Sequence, residues 1–351
     1  ASHNPYEDNG IKFFGADGFK LADSVEDEIA SFMEPGKLDG FRASPENIGK
    51  MYRVEDAVGR YAVYLKTCMD KNFKLDGVKI VVDSANGAAY RIARILFTEL
   101  GADLITIGDK PNGKNINLGC GSTHPELLAE KVVEHGAFCG IAFDGDADRI
   151  ICCDEKGGII DGDLILAICA SALKKSDSLA GNGVVGTVMT NLGLEKSLEK
   201  KGIKLYRAGV GDRYVLAEMK KNGVLLGGEQ SGHIIFLEHN TTGDALLSAL
   251  MLLSNVLKEG KPLSEYHSLI ERFPQQLINI AVKEKKDISE VPELEKVIKE
   301  TEAELEGKGR LLFRYSGTEQ KARVMVEADD EQLCQRSAEK VADVVRSSLG
   351  K

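Results

Sequence analysis

The sequence predicts an α/β chain in four consecutive parts, closing on a part of α+β type. Short apolar runs alternate with longer amphipathic segments between residues 78 and 257, the pattern of βαβ units around a mostly parallel sheet. From about residue 273 the order becomes strand, helix, strand, strand, helix, which predicts a sandwich with helices on one sheet face. The length of 351 residues and a 43% hydrophobic content allow about two to four separate cores.

Residues 1–56 form the first part. They hold an opening motif, a strand expected near 11–14, an acidic helix near 25–32 and a loop-like close, Phe41-Arg-Ala-Ser-Pro-Glu46. A helix over 54–69 leads into the second part, 57–156. There Val78-Lys-Ile-Val-Val82 reads as a strand, Asp83-Ser-Ala-Asn-Gly87 as its turn, 88–100 as a helix and 103–107 as a strand. Residues 125–135 give the next helix, and Cys139-Gly-Ile-Ala-Phe143 and Ile150-Ile-Cys-Cys153 read as strands either side of an acidic turn. The third part, 157–272, repeats the grammar: strand 184–189, helix 194–200, strand 204–207, helix 214–221. Residues 223–226 then enter a Gly-rich loop, and 244–257 reads as a long apolar helix. The fourth part, 273–351, has strand 276–282, helix 291–304, strands 309–314 and 324–328, and a last helix over 331–347.

Composition narrows the function. A net charge of −10 and no basic run speak against nucleic-acid binding. No stretch of about 18 apolar residues offers a membrane span, and no basic segment followed by an apolar core suggests a signal peptide. The seven cysteines are scattered without a C-x-x-C pair, so a reducing cytoplasm is the expected compartment. With no initiating methionine and an opening inside a loop-like motif, the chain reads as a fragment.

Chemistry concentrates at Asp144-Gly-Asp-Ala-Asp148, followed by Arg149. Three carboxylates in five residues repel one another unless a cation sits among them. Alternate side chains on an extended strand stand roughly 7 Å apart, so a shared ion requires the backbone to curl, which Gly145 and Ala147 permit. Carboxylate-only ligation suits a hard cation, Mg²⁺ more than Zn²⁺. A calcium loop fits poorly, because Arg149 stands where that loop needs glycine and the flanks read as strands.

Other loops carry weaker signals. In Ala1-Ser-His-Asn-Pro5 a hydroxyl sits on a kinked turn, and the Asn9-Gly10 turn could fold Lys12 back toward Ser2. Gly227-Gly-Glu-Gln-Ser-Gly-His233 mixes small residues with Glu229, Ser231 and His233, as a loop approaching a polyhydroxyl ligand would. Arg314-Tyr-Ser-Gly-Thr318, with Arg323 on the next strand, has the arginines, hydroxyls and Gly-flanked turn of a phosphate loop. Gly209-Val-Gly-Asp-Arg-Tyr214 ends a strand and opens a helix, an anion-friendly position bearing Asp212 and Arg213.

In chain order these pieces resemble the α-D-phosphohexomutase family, with its amino-sugar branch the nearest match. The resemblance rests on Ala1-Ser-His-Asn-Pro5 with Asp8-Asn-Gly-Ile-Lys12, Asp144-Gly-Asp-Ala-Asp-Arg149, Gly228-Glu-Gln-Ser-Gly-His233 and Arg314-Tyr-Ser-Gly-Thr-Glu319. The stretches Asn115-Ile-Asn-Leu-Gly-Cys-Gly-Ser-Thr-His-Pro125 and Val210-Gly-Asp-Arg-Tyr-Val215 support it. It implies three α/β domains with mixed sheets, the first incomplete here, plus a C-terminal α+β domain. By the same resemblance Ser2 is a phosphoserine whose phosphate, with Asp144, Asp146 and Asp148, holds Mg²⁺. Lys12 and Arg149 are then the proton-transfer and charge-stabilising groups. Glu229, Ser231 and His233, with Asp212 and Arg213, hold the sugar, and Arg314, Ser316, Gly317, Thr318 and Arg323 the non-reacting phosphate. The implied reaction interconverts glucosamine 6-phosphate and glucosamine 1-phosphate through a 1,6-bisphosphate, on the route to UDP-N-acetylglucosamine. Glucosamine or glucose 1,6-bisphosphate is the implied activator, the partner is a small hexosamine phosphate, and a homodimer is one assembly open to it. A sister hexomutase acting on mannose or glucose phosphates, or a fragment that binds without turning over, are the alternatives.

The chain departs from the family where Tyr315 and Gln320 replace prolines and where Ala147 stands in place of glycine. The resemblance also implies residues before Ser2 that complete the first domain.

Overall fold

The computed structural model describes residues 2–316 and 319–351. In the first part, helix α1 (Asp23–Phe32) buries no side chain. Where a strand is expected near residues 11–14, there is only an isolated bridge between Phe14 and Lys20. Ile11 is 82% exposed, and among the described residues no sheet pairs with this segment to hold it extended.

Helix α2 (Ala57–Thr67) leads to a five-stranded sheet built from β1 (Lys79–Asp83), β2 (Asp103–Ile107), β3 (Cys139–Phe143), β4 (Ile150–Asp154) and β5 (Ile159–Ile160). Its order is β2-β1-β3-β4-β5, parallel from β2 through β3 and antiparallel beyond. Helices α3 (Ala89–Glu99) and α4 (Glu126–His135) make the two crossovers. The chain leaves β1 to one side and returns past it to β3, so a crevice opens between the carboxyl ends of β1 and β3. Asp144 is the first residue beyond β3.

The next helix, α5 (Gly162–Lys175), has no counterpart in the sequence reading. Asp161 caps it by accepting from the Leu164 amide at 3.1 Å. Leu164 to Ala170 are buried without a break, so no polar stripe marks a helical period. A second mixed sheet follows, from β6 (Gly183–Thr187), β7 (Lys204–Ala208), β8 (Leu226–Gly228) and β9 (Ile234–Phe236), in the order β7-β6-β8-β9. Helices α6 (Leu192–Lys200) and α7 (Asp212–Asn222) connect its parallel strands. A second crevice therefore opens between β6 and β8, and Glu229 is the first residue beyond β8. Helix α8 (Ala245–Glu259) packs against α5 and β4. One continuous apolar core runs from Leu65 and Phe97 through Phe143 and Ile150 to Leu164, Leu226 and Leu250, and it fuses the two sheets into one body.

The fourth part folds as a three-stranded antiparallel sheet of β10 (Gln275–Ala281), β11 (Gly309–Tyr315) and β12 (Lys321–Ala328), in the order β10-β12-β11. Helices α9 (Pro292–Leu305) and α10 (Glu331–Leu349) cover one face, with Ile280, Val324, Leu294 and Val341 between the layers. Among the described residues no helix is long and apolar enough to cross a membrane. All seven cysteines are free thiols.

A candidate phosphoryl-transfer site

The turn after β3 curls as three converging carboxylates require. Ala147 takes a left-handed backbone, φ 62°, and its amide donates to the Asp144 carbonyl at 3.1 Å. Asp144 is fully buried and its Oδ1 accepts from the Asp148 and Arg149 amides, both at 3.1 Å. Ligand atoms of Asp144, Asp146 and Asp148 lie within 4.8 Å of one another, the one such trio among the described residues. Burial, reinforced by the charges of Asp148 and Asp146, pushes the Asp144 carboxyl up to about 7.

Ser2 lies against this trio. Its hydroxyl donates to Asp144 Oδ2 at 3.3 Å and contacts His3 Nδ1 at 3.2 Å. The segment is tied down by its backbone: the Ser2 carbonyl accepts from the Gly145 amide at 2.7 Å and from Asn117 Nδ2 at 2.8 Å. Asn117 also donates to the Asn4 carbonyl at 2.8 Å. Gly145 is required here, since a Cβ would fall 2.5 Å from the Ser2 oxygen. Asn117 had no assigned role in the sequence reading. Its signal was only an asparagine able to hold a left-handed backbone, φ 57°, in a Gly-rich loop.

Lys12 reaches the trio, although the expected Asn9-Gly10 turn is absent: the chain turns at Pro5–Asp8, where the Asp8 amide donates to the Pro5 carbonyl at 3.1 Å, and residues 9–12 run on without a turn. The Lys12 ammonium stands between two carboxylates, Asp146 Oδ2 at 2.6 Å and Asp148 Oδ2 at 2.8 Å. Burial opposes the Lys12 charge, but the hydrogen bonds to Asp146 and Asp148 outweigh it and hold the pKa above the ordinary lysine value. Arg149 stands farther off, its Nε 4.0 Å from Asp144 and 3.9 Å from Asp148. Burial likewise works against the Asp148 charge; the His233 ring, Lys12 and Arg149 prevail and lower its pKa. Even so, Asp146 Oδ1, Asp148 Oδ1 and Arg149 Nε are buried without a hydrogen bond, the last two facing each other at 3.9 Å. Carboxylate oxygens left without donors in a trio of hard ligands fit a divalent cation, and the residues suit Mg²⁺.

The second loop meets the first directly. Arg149 and His233 form an antiparallel bridge, the Ile150 amide donates to the Gly232 carbonyl at 3.0 Å, and a Cβ on Gly232 would strike the Ile150 oxygen. His233 is 4% exposed, its ring lies over Gly243, and neither ring nitrogen has a partner; burial lowers its pKa. Glu229 Oε1 accepts from the Gly211 amide at 2.7 Å and Oε2 from the Ser231 hydroxyl at 3.3 Å. Asp212 and Arg213 are already engaged by the first part: Asp212 pairs with Lys20 at 2.9 Å, and Arg213 with Glu26 at 3.0 Å and with Asp23.

On the fourth part, Arg314 and Arg323 are directly paired across β11 and β12. Burial and the neighbouring Arg323 lower the Arg314 pKa. Arg323 Nη2 stands 3.6 Å from the Glu319 carboxylate, but its Nε has no hydrogen-bond partner, and two guanidiniums side by side suit an anion. Ser316 is buried; its carbonyl accepts from Lys285 Nζ at 2.6 Å, a lysine without an assigned role in the sequence reading. Gly317 and Thr318 lie outside the described residues. Tyr315 is accommodated because Ser316 N donates to Lys321 O, which turns the preceding amide to the free edge of β11 where a proline would also fit. Its ring instead packs edge-on to Phe313 at 5.3 Å.

Comparison with known proteins matches this arrangement along the chain. Family models described as phosphoglucomutase/phosphomannomutase match residues 1–38 (alpha/beta/alpha domain I), 59–158 (domain II), 161–273 (domain III) and 277–344 (C-terminal domain). The phosphoglucosamine mutase of Myxococcus xanthus is 52% identical over 349 residues, covering 99% of this chain and 76% of its own length. That of Geobacter metallireducens is 51% identical over 350 residues, covering 100% and 78%. The fold is that of Aspergillus fumigatus N-acetylphosphoglucosamine mutase in complex with GlcNAc-6P and magnesium, with TM-score 0.76, 22% identity, and coverage of 99% of this chain and 88% of that one. A phosphoglucomutase/phosphomannomutase family protein from Burkholderia thailandensis superposes with TM-score 0.77 at 22% identity, over 100% of this chain and 76% of that one. The chain thus belongs to the phosphoglucomutase/phosphomannomutase family and is an enzyme of the phosphohexomutase, isomerase class.

Proposed function

We propose that this enzyme is a phosphoglucosamine mutase, interconverting glucosamine 6-phosphate and glucosamine 1-phosphate. The observation that carries the reading is Ser2 Oγ, 3.3 Å from Asp144, beside three carboxylates converging within 4.8 Å. Relatives about half identical over nearly the whole chain bear that name.

In the forward direction phosphoserine 2 gives its phosphoryl group to the 1-hydroxyl of glucosamine 6-phosphate. The Ser2 Oγ–P bond breaks, an O1–P bond forms, and the proton of the 1-hydroxyl ends on Ser2 Oγ. The 1,6-bisphosphate then exchanges ends. Ser2 Oγ takes the phosphoryl from O6 and gives up its own proton to O6, and glucosamine 1-phosphate departs. Asp144 Oδ2 accepts the Ser2 hydroxyl proton in the unphosphorylated enzyme, so it orients the nucleophile. Lys12 keeps its proton while it bridges Asp146 and Asp148. From there it supplies positive charge, and a proton step through it requires release from both carboxylates. Arg149 adds a second positive charge.

Asp144, Asp146 and Asp148, with the Ser2 phosphate, would hold Mg²⁺, which when bound neutralises charge on the phosphoryl group. Glu229 and Ser231 present hydroxyl-binding groups, with His233 beneath them. Arg314, Ser316, Gly317, Thr318 and Arg323 clamp whichever phosphate is not reacting, so either end of the bisphosphate can be held. Asp212 and Arg213 contribute through the placement of the Glu229 loop, which hangs from the Gly211 amide. A hexose 1,6-bisphosphate serves as activator.

Intact-mass measurement after incubation with glucose 1,6-bisphosphate should find one phosphoryl group on the wild type and none on Ser2→Ala. Among hexose phosphates, glucosamine 6-phosphate should turn over fastest. A faster rate on mannose or glucose 6-phosphate would assign a sister activity. No phosphoryl transfer to Ser2 and no turnover on any member would overturn the proposal.

A further inference from the structure

The fourth part reaches the rest of the molecule through the open face of its sheet. Arg310 and Glu327 are directly paired across β11 and β12, as are Arg314 and Arg323. Because side chains alternate, all four stand on the face turned away from α9 and α10. Met325, on that same face, is 1% exposed. The Glu327–Arg310 pair and the Arg314/Arg323 pair are four residues apart along each strand, about 13 Å.

At its inner end this face is locked by a buried charge. Glu327 is fully buried and its Oε2 accepts from Arg310 Nε at 2.5 Å and from the Leu192 amide, the first of α6, at 3.3 Å. Oε1 accepts from Asn191 Nδ2 at 3.2 Å, and Arg310 Nη2 donates to the Thr190 carbonyl at 2.7 Å. The carboxylate therefore sits on the N-terminus of α6, just beyond the carboxyl end of β6, where a helix end receives an anion. The fourth part supplies that helix end with an anion of its own. Its connector is pinned at the same place: Phe273 exchanges two hydrogen bonds with the Asn191 side chain, at 3.0 and 3.1 Å. Arg272 grips Asp161 with both nitrogens, at 2.8 and 2.7 Å.

That cluster also touches the Glu229 loop. The Asn191 amide donates to Asp163 at 2.9 Å, on the first turn of α5. On the same turn the Gly162 amide donates to the Gln230 carbonyl at 3.0 Å, and a Cβ on Gly162 would strike the Glu229 carbonyl. The lock that holds the arginine sheet and the loop that carries Glu229 thus share one polar hub.

We propose that Glu327, with Arg310, is a positioning pair for the mutase reaction: it sets how far Arg314 and Arg323 stand from the Glu229 loop, and so the length of sugar phosphate the site accepts. This rests on the proposed function above. A pair that merely glued two parts together would affect stability without distinguishing a ligand that spans both from one that does not.

The test compares wild type with Glu327→Gln, which keeps the side chain's shape and one acceptor oxygen, enough for Asn191 or Leu192 but not both, and loses the charge facing Arg310. Three quantities are read: amide exchange at residues 191–192, KM and kcat for the best hexose phosphate of the panel, and the calorimetric Kd for inorganic phosphate, which needs only the fourth part. Exchange should quicken, and KM should rise about tenfold, the ratio that 1.4 kcal/mol of lost coupling produces. The change in kcat should be smaller and the phosphate Kd should stay within about twofold. Glu327→Asp, with charge kept and reach shortened, should fall between the two. Faster exchange with an unchanged KM overturns the proposal, and so does a phosphate Kd that weakens in step with KM. Should Glu327→Gln fail to fold, Arg310→Lys keeps the charge, loses the fork to Thr190, and must move KM in the same direction. If wild type turns over no hexose phosphate, the functional reading fails, while exchange and the calorimetric ratio of sugar-phosphate to inorganic-phosphate affinity still judge the positioning role.

Discussion

Asp163→Asn should make the enzyme respond less to rising pH. Asp163 is fully buried on the first turn of α5; one of its oxygens accepts from Asn191 at 2.9 Å and the other has no partner. Burial first, and the charge of Asp161 second, push its pKa from the ordinary 3.8 up to about 7. The folded state therefore binds this proton more tightly than the unfolded chain does. Its stabilising contribution is complete below about pH 4 and is lost as pH rises through 7, with a ceiling of about 4 kcal/mol. Between pH 5 and pH 8 the loss works out at about 2–3 kcal/mol. Asparagine keeps the acceptor for Asn191, places an amide group where the unpartnered oxygen stood, and does not titrate. Urea unfolding of both proteins, followed by circular dichroism, should show the variant gaining on wild type by that amount from pH 5 to pH 8. The same separation at both pH values would refute the reasoning.

Asp146→Ala removes one of three converging carboxylates and one of the two that hold Lys12. The half-saturating Mg²⁺ concentration should rise about tenfold or more, and an unchanged Mg²⁺ titration would count against the ligand set. Gly145→Ala puts a methyl group 2.5 Å from the Ser2 carbonyl and disrupts the bond that seats Ser2. Initial rates at saturating Mg²⁺ should fall about a hundredfold, the scale set by a misplacement of about 1 Å, while the melting temperature moves little. Arg314→Ala leaves Arg323 alone in the pair, so KM for the sugar phosphate should rise about tenfold with a smaller change in kcat, read from steady-state kinetics.

How much of this was legible in the sequence varies with the kind of signal. The strands on either side of the aspartates were readable because buried strands of mixed sheets are nearly continuous apolar runs, as at Cys139–Phe143. The three carboxylates advertised themselves by charge density alone. Helix α5 was invisible for the opposite reason: it is buried all round, and a helix without a polar face shows no period. The expected strand at 11–14 has no neighbouring strand among the described residues, and a short apolar run is only half of what makes a strand. Proximity of Ser2 to Asp144 spans 142 residues, and nothing in local spacing encodes it; only the resemblance suggested it. Asn117 and Lys285 were missed because each acts through a backbone carbonyl, a target every residue offers and no pattern marks. Asp212 and Arg213 read as anion-site residues from their place at a helix start, whereas the structure commits them to Lys20, Asp23 and Glu26.

The bridge between Arg149 and His233, closed by the Ile150 amide on Gly232, has a consequence for engineering. It stitches the aspartate loop and the Glu229 loop into one ribbon across a boundary that the chain otherwise crosses at residues 159–161. A chimera that takes its third part from a relative would bring a foreign half of that ribbon against Ile150, with under an atom's width to spare at Gly232. The Glu229 loop is thus not a detachable cassette: moving it means moving residues 149–150 with it, and with them the bed on which the aspartates lie.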